Sequence, residues 1–183
     1  MTPELEFRSG EVRASSPGRL SGYAARFNDE ARIGDFAEVI RPGAFAASLS
    51  SGDTIIALAD HDRRALLGST AAGTLQLRED AHGLVFELAL PDTSHGRDVR
   101  ALVERGDIRG CSFGFIVEPG GDTWLDRGDG AMLRELRSVR LHEVTVTATP
   151  AYANTALALR SMPSFWERDP ERAARRMWLE TVR

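Results

Sequence analysis

The sequence predicts a mainly β domain with a few peripheral helices (an α+β arrangement), and three observations carry this prediction. Short segments in which apolar and polar residues alternate recur along most of the chain. Turns containing glycine or proline separate these segments. Only two short stretches before residue 160 have the spacing and end signals of a helix. Many strands with few helices favour a barrel-like or sandwiched β core.

Composition limits the classes of protein to consider. The chain has 183 residues, of which 42% are hydrophobic and 27% charged, and this balance suits one globular domain with a small appendage. Its formal net charge of −4 argues against a general nucleic-acid binder. The single cysteine cannot form an internal disulfide bond, and no apolar run has the length of a membrane span. We therefore expect no membrane and no nucleic acid among its partners.

The first third of the chain predicts strands around one short helix. Residues 11–16 and 19–28 alternate like strands on either side of a Pro-Gly turn. Residues 42–52 resemble a short helix, with proline at the start and glycine at the end. Residues 54–61 form an apolar run that ends in an acid and a histidine, which indicates a strand leading into a polar loop.

A hairpin and a second helix follow. Residues 73–80 and 83–91 alternate and are joined by a tight turn. The next helix is predicted from about His95 to Arg105, with Ser94 as its N-cap and Gly106 as its stop.

Strands are again predicted from residue 108 onwards. Residues 108–118 form one strand, and residues 132–139 and 141–148 form a pair. The Gly- and Asp-rich stretch 119–131 between them is expected to be a solvated loop.

The end of the chain differs in composition from the rest. We predict a β-barrel domain over residues 1–160 and a helical tail over residues 161–183, in which Asp169 and Pro170 start a helix. One stripe of that helix carries Ala174, Met177, Trp178 and Thr181. Such a stripe needs a partner surface, which is either the barrel itself or a protein such as scaffold, capsid protein or a second copy of the chain.

The segment RGCSFGF contains the serine of greatest interest. If the segment is a strand, its side chains alternate between two faces. One face then carries Gly110, Ser112 and Gly114, and the other carries Cys111, Phe113 and Phe115. Ser112 stands on a face cleared of bulk, where another backbone can approach. Alternatively, the glycines mark only a packing site or a bulge.

The same segment matches the pattern G-x-S-x-G, which forms the nucleophile elbow of α/β-hydrolases. That elbow joins a strand to a helix, whereas the residues after Gly114 read as more strand. An esterase-like hydrolase is therefore an alternative that the sequence context disfavours.

Five segments, taken in order, resemble the prohead (capsid maturation) serine protease family of tailed bacteriophages, of the HK97-like type. They span about residues 20 to 160. They are E-x-I-x-P-G-A-F at 38–45, H-D at 61–62, G-L-x-F at 83–86, G-x-S-F-G-F at 110–115 and E-V-x-x-x-x-x-P-A-Y at 143–152. One departure is Thr145, which stands where we would expect serine.

The resemblance implies a fold like that of the herpesvirus assemblins, a β-barrel ringed by short helices. It implies a serine endopeptidase that cleaves scaffold and capsid-protein segments of a phage, prophage or gene-transfer-agent procapsid in the bacterial host cytoplasm. The implied partners are the major capsid protein and its scaffold segment, and no cofactor or metal is expected. A catalytically silent assembly protein with the same fold is the second alternative.

The resemblance also maps a nucleophile onto Ser112 and a base onto His61. A serine hydroxyl needs an adjacent base, and imidazole suits that task because it titrates near neutral pH. Glu143 is the first candidate for the third member, because its carboxylate can accept the other imidazole N–H. His142 is the rival, because the herpesvirus relatives use a second histidine. Neighbours on one strand face opposite ways, so only one of the two can face the site.

Overall fold

The computed structural model describes residues 5–128 and 130–149. These residues form twelve strands and two helices. In chain order they are β1 (Leu5–Ser16), β2 (Arg19–Arg26), β3 (Glu30–Ile33), β4 (Phe36–Ile40), α1 (Ala46–Ser50), β5 (Ile56–Ala59), β6 (Asp62–Ser69), β7 (Leu75–Glu79), β8 (Gly83–Ala89), α2 (Ser94–Arg105), β9 (Gly110–Ile116), β10 (Asp122–Asp126), β11 (Met132–Leu136) and β12 (Arg140–Thr147).

The strands are divided between two sheets. The larger sheet has the order β6-β5-β12-β9-β1-β2-β8-β7 and curls into a half-barrel. The smaller sheet has the order β10-β11-β4-β3. Pairing is antiparallel except for β5 with β12 and β4 with β11. The predicted fold class, mainly β with peripheral helices, is confirmed.

The apolar core lies against one face of the larger sheet. β9 contributes Cys111, Phe113 and Phe115 to this core, as the predicted alternation requires. The rings of Phe113 and Phe115 stack with centroids 5.3 Å apart, and Phe45, just before α1, meets Phe113 edge-on. The opposite face of β9 is therefore left for Ser112 and its neighbours.

Five charged side chains form a network between the two sheets, which we call the inter-sheet ion network. Arg8 on β1 donates from Nε to Glu38 Oε1 on β4 at 2.6 Å. Arg134 on β11 donates to Glu6 Oε2 and to Asp122 Oδ2, both at 2.7 Å. The two arginines and the two glutamates are buried. Because each buried charge has opposite partners, the network fixes how the small sheet meets β1.

Helix α2 confirms the predicted helix but corrects its start. Thr93, not Ser94, is the N-cap, and its side-chain oxygen accepts the N–H of Gly96. Gly106 ends the helix in the left-handed conformation, with φ of 83°, as predicted. Threonine and serine are both favoured at the N-cap, so residue type alone cannot predict which of Thr93 and Ser94 occupies it.

Two predicted loops contain strands. β10 lies within the stretch expected to be a solvated loop, and β6 begins directly after His61, where a loop was also expected. β10 is an edge strand, and Leu125 on it is exposed. An edge strand needs no strongly apolar face, so its sequence does not show the alternation by which strands are predicted. The predicted tail helix, within residues 161–183, lies outside the described residues, so the division at residue 160 stays a prediction.

Candidate active site

Ser112 lies in the middle of β9, the fourth strand of the larger sheet. Its partners across the ladder are Ser9 on β1 and Thr145 on β12. Directly opposite residues of antiparallel strands share a face, so Ser112 and Thr145 are on the same face of the sheet. The Ser112 side chain is completely buried. β9 continues through Gly114 to Ile116, so the G-x-S-x-G segment is not a strand-to-helix elbow.

His61 lies in the two-residue turn between β5 and β6. Ala59 pairs with Asp62, which leaves Asp60 and His61 at the centre of the turn with φ of 47° and 59°. Positive φ at both central positions is the geometry of a type I′ turn, which usually contains Asn-Gly. Residues other than glycine are strained in this backbone conformation, and such strain is often found at functional sites. The Asp60 N–H donates to the Val146 carbonyl at 3.1 Å and ties the turn to β12.

His61 and Glu143 are in direct contact. His61 Nδ1 and Glu143 Oε1 are 2.7 Å apart. The imidazole is 31% exposed and the carboxylate only 6%. The Thr145 hydroxyl donates to the same Oε1 at 3.1 Å. When Nδ1 carries the proton and donates it to Glu143, Nε2 has a free lone pair and can accept a proton.

His142 lies in a β-bulge of β12. Leu141 pairs with Phe115 and Glu143 with Gly114, so His142 is the extra residue. Regular alternation along this strand predicts Leu141 and Glu143 on the same face. The bulge instead places Leu141 in the core, on the face opposite Glu143.

The environment of His142 differs from that of His61. Its Nε2 is buried and finds no hydrogen-bond partner within the described residues. Burial, reinforced by the charge of Arg140, lowers the pKa of His142. Of the two rivals for the third position, the structure therefore brings Glu143, and not His142, to the His61 ring.

Two further side chains belong to this site. Phe7 on β1 places its ring against the His61 ring, with centroids 4.7 Å apart and the planes at 78°. Sequence reasoning missed Phe7, because β1 begins at Leu5, six residues before the predicted strand. The alternation of the preceding ELEF segment was the available signal. Thr145 was noted only for its residue type, and its hydrogen bond to Glu143 depends on tertiary structure.

The remaining candidates are not part of this arrangement. His82 and His95 are exposed. Burial raises the pKa of the Cys111 thiol to about 12, so it stays protonated near neutral pH. Within residues 5–128 and 130–149, no group of three or more His, Cys, Asp or Glu side chains could hold a metal ion. Neither described helix has the length and apolar character of a transmembrane segment.

Comparison with known proteins gives three results. The family model for the caudovirus prohead serine protease matches residues 4–166. The "Prohead protease" of Enterobacteria phage HK97 is 27% identical over 158 residues, which cover 84% of this chain and 66% of that protein. The chain thus spans just under two thirds of the length of this relative.

A solved structure supports the fold. The bacteriophage T4 capsid assembly protease superposes with a TM-score of 0.56 at 8% sequence identity, covering 79% of this chain and 98% of that chain. At this identity the similarity concerns the fold alone. The family match extends over most of the sequence and includes the strands that carry Ser112, Glu143 and the His61 turn. This chain belongs to the caudovirus prohead serine protease family.

Proposed function

We propose that this chain is a serine endopeptidase that cleaves scaffold or capsid-protein segments during maturation of a procapsid. In this proposal Ser112 is the nucleophile, His61 the general base and Glu143 the residue that orients the base. The observation that carries the proposal is the 2.7 Å contact of His61 with a buried Glu143, two residues from the Thr145 that pairs with Ser112.

The first half of the reaction uses Ser112 and His61. His61 Nε2 takes the proton of the Ser112 hydroxyl as its oxygen attacks the carbonyl carbon of the scissile peptide bond. The tetrahedral intermediate collapses when His61 gives that proton to the leaving amine. The amino-terminal part of the substrate then remains bound to Ser112 as an ester. In the second half, His61 activates a water molecule in the same way, and hydrolysis of the ester restores Ser112.

Glu143 has two tasks in this mechanism. Its Oε1 accepts the Nδ1–H of His61, which keeps the Nε2 lone pair available and holds the ring in place. Its negative charge also stabilises the imidazolium ion that forms at each proton transfer. Because Glu143 is almost fully buried, water screens this interaction little.

The proposed substrates are the major capsid protein and its scaffold segment, and the proposed location is the procapsid in the bacterial host cytoplasm. Family membership supports this assignment. The particle is that of a phage, a prophage or a gene transfer agent. The predicted tail would pack against the barrel itself or dock to scaffold, capsid protein or a second copy. The two alternatives to this proposal are a catalytically silent assembly protein with the same fold and an esterase-like hydrolase.

The test is cleavage of a major capsid protein that is co-produced with this chain. We expect specific cleavage by the unmodified chain, and a loss of at least about a thousandfold in rate for Ser112→Ala and His61→Ala. No cleavage by any form would favour the assembly protein. Hydrolysis of simple esters without peptide cleavage would favour the esterase.

A matched pair of variants tests the third position. Glu143→Gln should lower kcat by about a hundredfold or more, because a neutral amide stabilises the imidazolium ion poorly. His142→Asn, at the adjacent residue of the same strand, should leave kcat within about threefold. The reverse pattern would assign the third position to His142.

A further inference from the structure

We propose that Phe7 is a positioning residue for His61 and that Gly114 is required because it makes room for Phe7 and Glu143 together. This inference rests on the proposed role of His61 as the general base. It concerns the orientation of the imidazole and not its protonation chemistry.

The His61 ring is held by two contacts of different kinds. Glu143 holds the Nδ1 atom through a hydrogen bond. A hydrogen bond to one atom fixes that atom, but the ring plane can still turn about it. Phe7 supplies the second contact, with its ring nearly perpendicular to the imidazole at a centroid distance of 4.7 Å. Edge-to-face packing of this kind limits the turn and favours one ring plane.

Gly114 lies directly opposite both holding residues. It pairs with Phe7 on β1 and with Glu143 on β12, so all three share one face of the sheet. A Cβ atom at residue 114 would come within 2.8 Å of Phe7 Cε1 and 2.9 Å of Glu143 Cγ. These separations are too short, so any side chain there would displace Phe7, Glu143 or both. The space left by the second glycine of G-x-S-x-G is thus filled by two side chains.

The backbone of Phe7 is anchored through its neighbour Arg8. Its carbonyl oxygen accepts a hydrogen bond from Arg8 Nη1 at 2.7 Å. Arg8 is anchored in turn by Glu38 and Glu6 of the inter-sheet ion network. Because strand residues alternate, Glu6 and Arg8 point toward the small sheet while Phe7 points toward His61. A rigid support of this kind suits a residue that must fix the plane of a ring on a strained turn.

The kinetic test compares Phe7→Leu with Phe7→Tyr. Misorientation of a base by about 1 Å can cost as much as a hundredfold in rate. We therefore expect Phe7→Leu to lower kcat by about ten- to a hundredfold, with KM changed by less than about threefold. Phe7→Tyr keeps an aromatic edge and should retain kcat within about threefold. Leu5→Ala, two residues away on the same face of β1, is the matched control and should also retain kcat.

A second measurement does not depend on activity. In the Ser112→Ala protein, NMR spectroscopy can follow the His61 Cε1–H resonance and the low-field Nδ1–H resonance. Phe7→Leu and Gly114→Ala should each shift the first and broaden the second, whereas Leu5→Ala should change neither. If Phe7→Leu does not fold, as judged by its thermal transition, the kinetic and NMR measurements are both made on Gly114→Ala, which keeps the Phe7 ring.

The outcomes separate this inference from the proposed function. Unchanged His61 resonances, or an unchanged kcat in Phe7→Leu and Gly114→Ala, would overturn the positioning role. An equal loss of kcat in Phe7→Tyr and Phe7→Leu would also overturn it, since the aromatic edge would then be irrelevant. Cleavage retained by Ser112→Ala would reject the proposed function, but the resonances would still show whether Phe7 and Gly114 orient the ring.

Discussion

One oxygen atom, Glu143 Oε1, receives hydrogen bonds from both His61 and Thr145. The Thr145 hydroxyl holds the Glu143 carboxylate in place, and the carboxylate in turn holds the His61 imidazole. A buried carboxylate that loses one of two donors is both less stable and freer to rotate. Thr145 also pairs with Ser112 across the β9–β12 ladder, so the residue that holds the orienting acid lies next to the proposed nucleophile.

Replacing Thr145 tests this arrangement. Thr145→Val keeps the shape but removes the donor, so we expect kcat to fall about tenfold and the free energy of unfolding to fall by about 1 kcal/mol. Thr145→Ser keeps the hydroxyl and should stay within about threefold of the unmodified kcat. Steady-state kinetics and chemical denaturation measure the two effects. Full activity in Thr145→Val would show that Glu143 needs no second donor.

At the scale of elements, the β5–β6 turn places His61 beside β12. A two-residue turn is short and rigid, so it delivers the histidine to one position at the edge of the site. Its cost is positive φ at Asp60 and His61, about 1 kcal/mol or more for each residue. The turn therefore lowers the free energy of unfolding somewhat, but it places His61 beside Glu143.

Variants at Asp60 separate turn geometry from side-chain chemistry, because the only hydrogen bond of Asp60 within the described residues is made by its backbone N–H. Asp60→Gly adopts positive φ freely and should retain cleavage activity. Asp60→Val resists positive φ, so we expect a loss of about 1–3 kcal/mol in the free energy of unfolding and a lower kcat. Thermal unfolding and peptide cleavage assays measure both. If Asp60→Val matched Asp60→Gly in both assays, the turn would not control the position of His61.

Among the elements, strand β9 was predicted correctly from the sequence, whereas the β5–β6 turn and the bulge in β12 were not. Strand β9 was predictable because its alternation of small and aromatic residues is strong and local. The hairpin at Asp60 and His61 was missed because it lacks the usual Asn-Gly signal. The bulge at His142 was missed as well, since an extra residue in one strand depends on the register of its partner.

The candidate site was partly predictable for a related reason. Ser112, His61 and Glu143 were named from local motifs and family resemblance. Phe7 and the role of Thr145 were not, because their contacts join strands that are distant in sequence. Gly114 was recognised as a cleared position, but only the structure shows which side chains use the space.

At the scale of the whole molecule, the inter-sheet ion network joins the half-barrel to the small sheet. Two of its acids, Glu6 and Glu38, each contact both Arg8 and Arg134. Burial alone would raise the pKa of Glu6, but the hydrogen bonds and charges of Arg134 and Arg8 outweigh burial and hold that pKa below its ordinary value of 4.5. Glu6 therefore contributes stability above pH 4.5, and this contribution is lost as the pH falls through the lowered folded-state pKa.

Glu6→Gln should remove most of this contribution. It leaves two buried guanidinium groups short of a charged partner, so we expect a loss of about 3–5 kcal/mol in the free energy of unfolding at pH 7. The matched control is Glu30→Gln, which breaks an exposed ion pair with Arg127 and should change the free energy of unfolding much less than Glu6→Gln does. Denaturant titrations between pH 3 and pH 7 measure both variants. Equal losses, or an unchanged pH dependence below pH 4.5 in Glu6→Gln, would contradict the role of the network.

The most direct test of the central claim is covalent labelling with a fluorophosphonate, followed by peptide mapping with mass spectrometry. A serine reacts with this reagent only when a neighbouring base activates it. We expect a single adduct on Ser112, formed at a rate reduced by at least about a hundredfold in His61→Ala, with the thermal transition of that variant preserved. Because Ser112 is buried, the labelling rate is compared between variants and not with free serine. An adduct on another residue, or equal labelling of Ser112 with and without His61, would contradict the account.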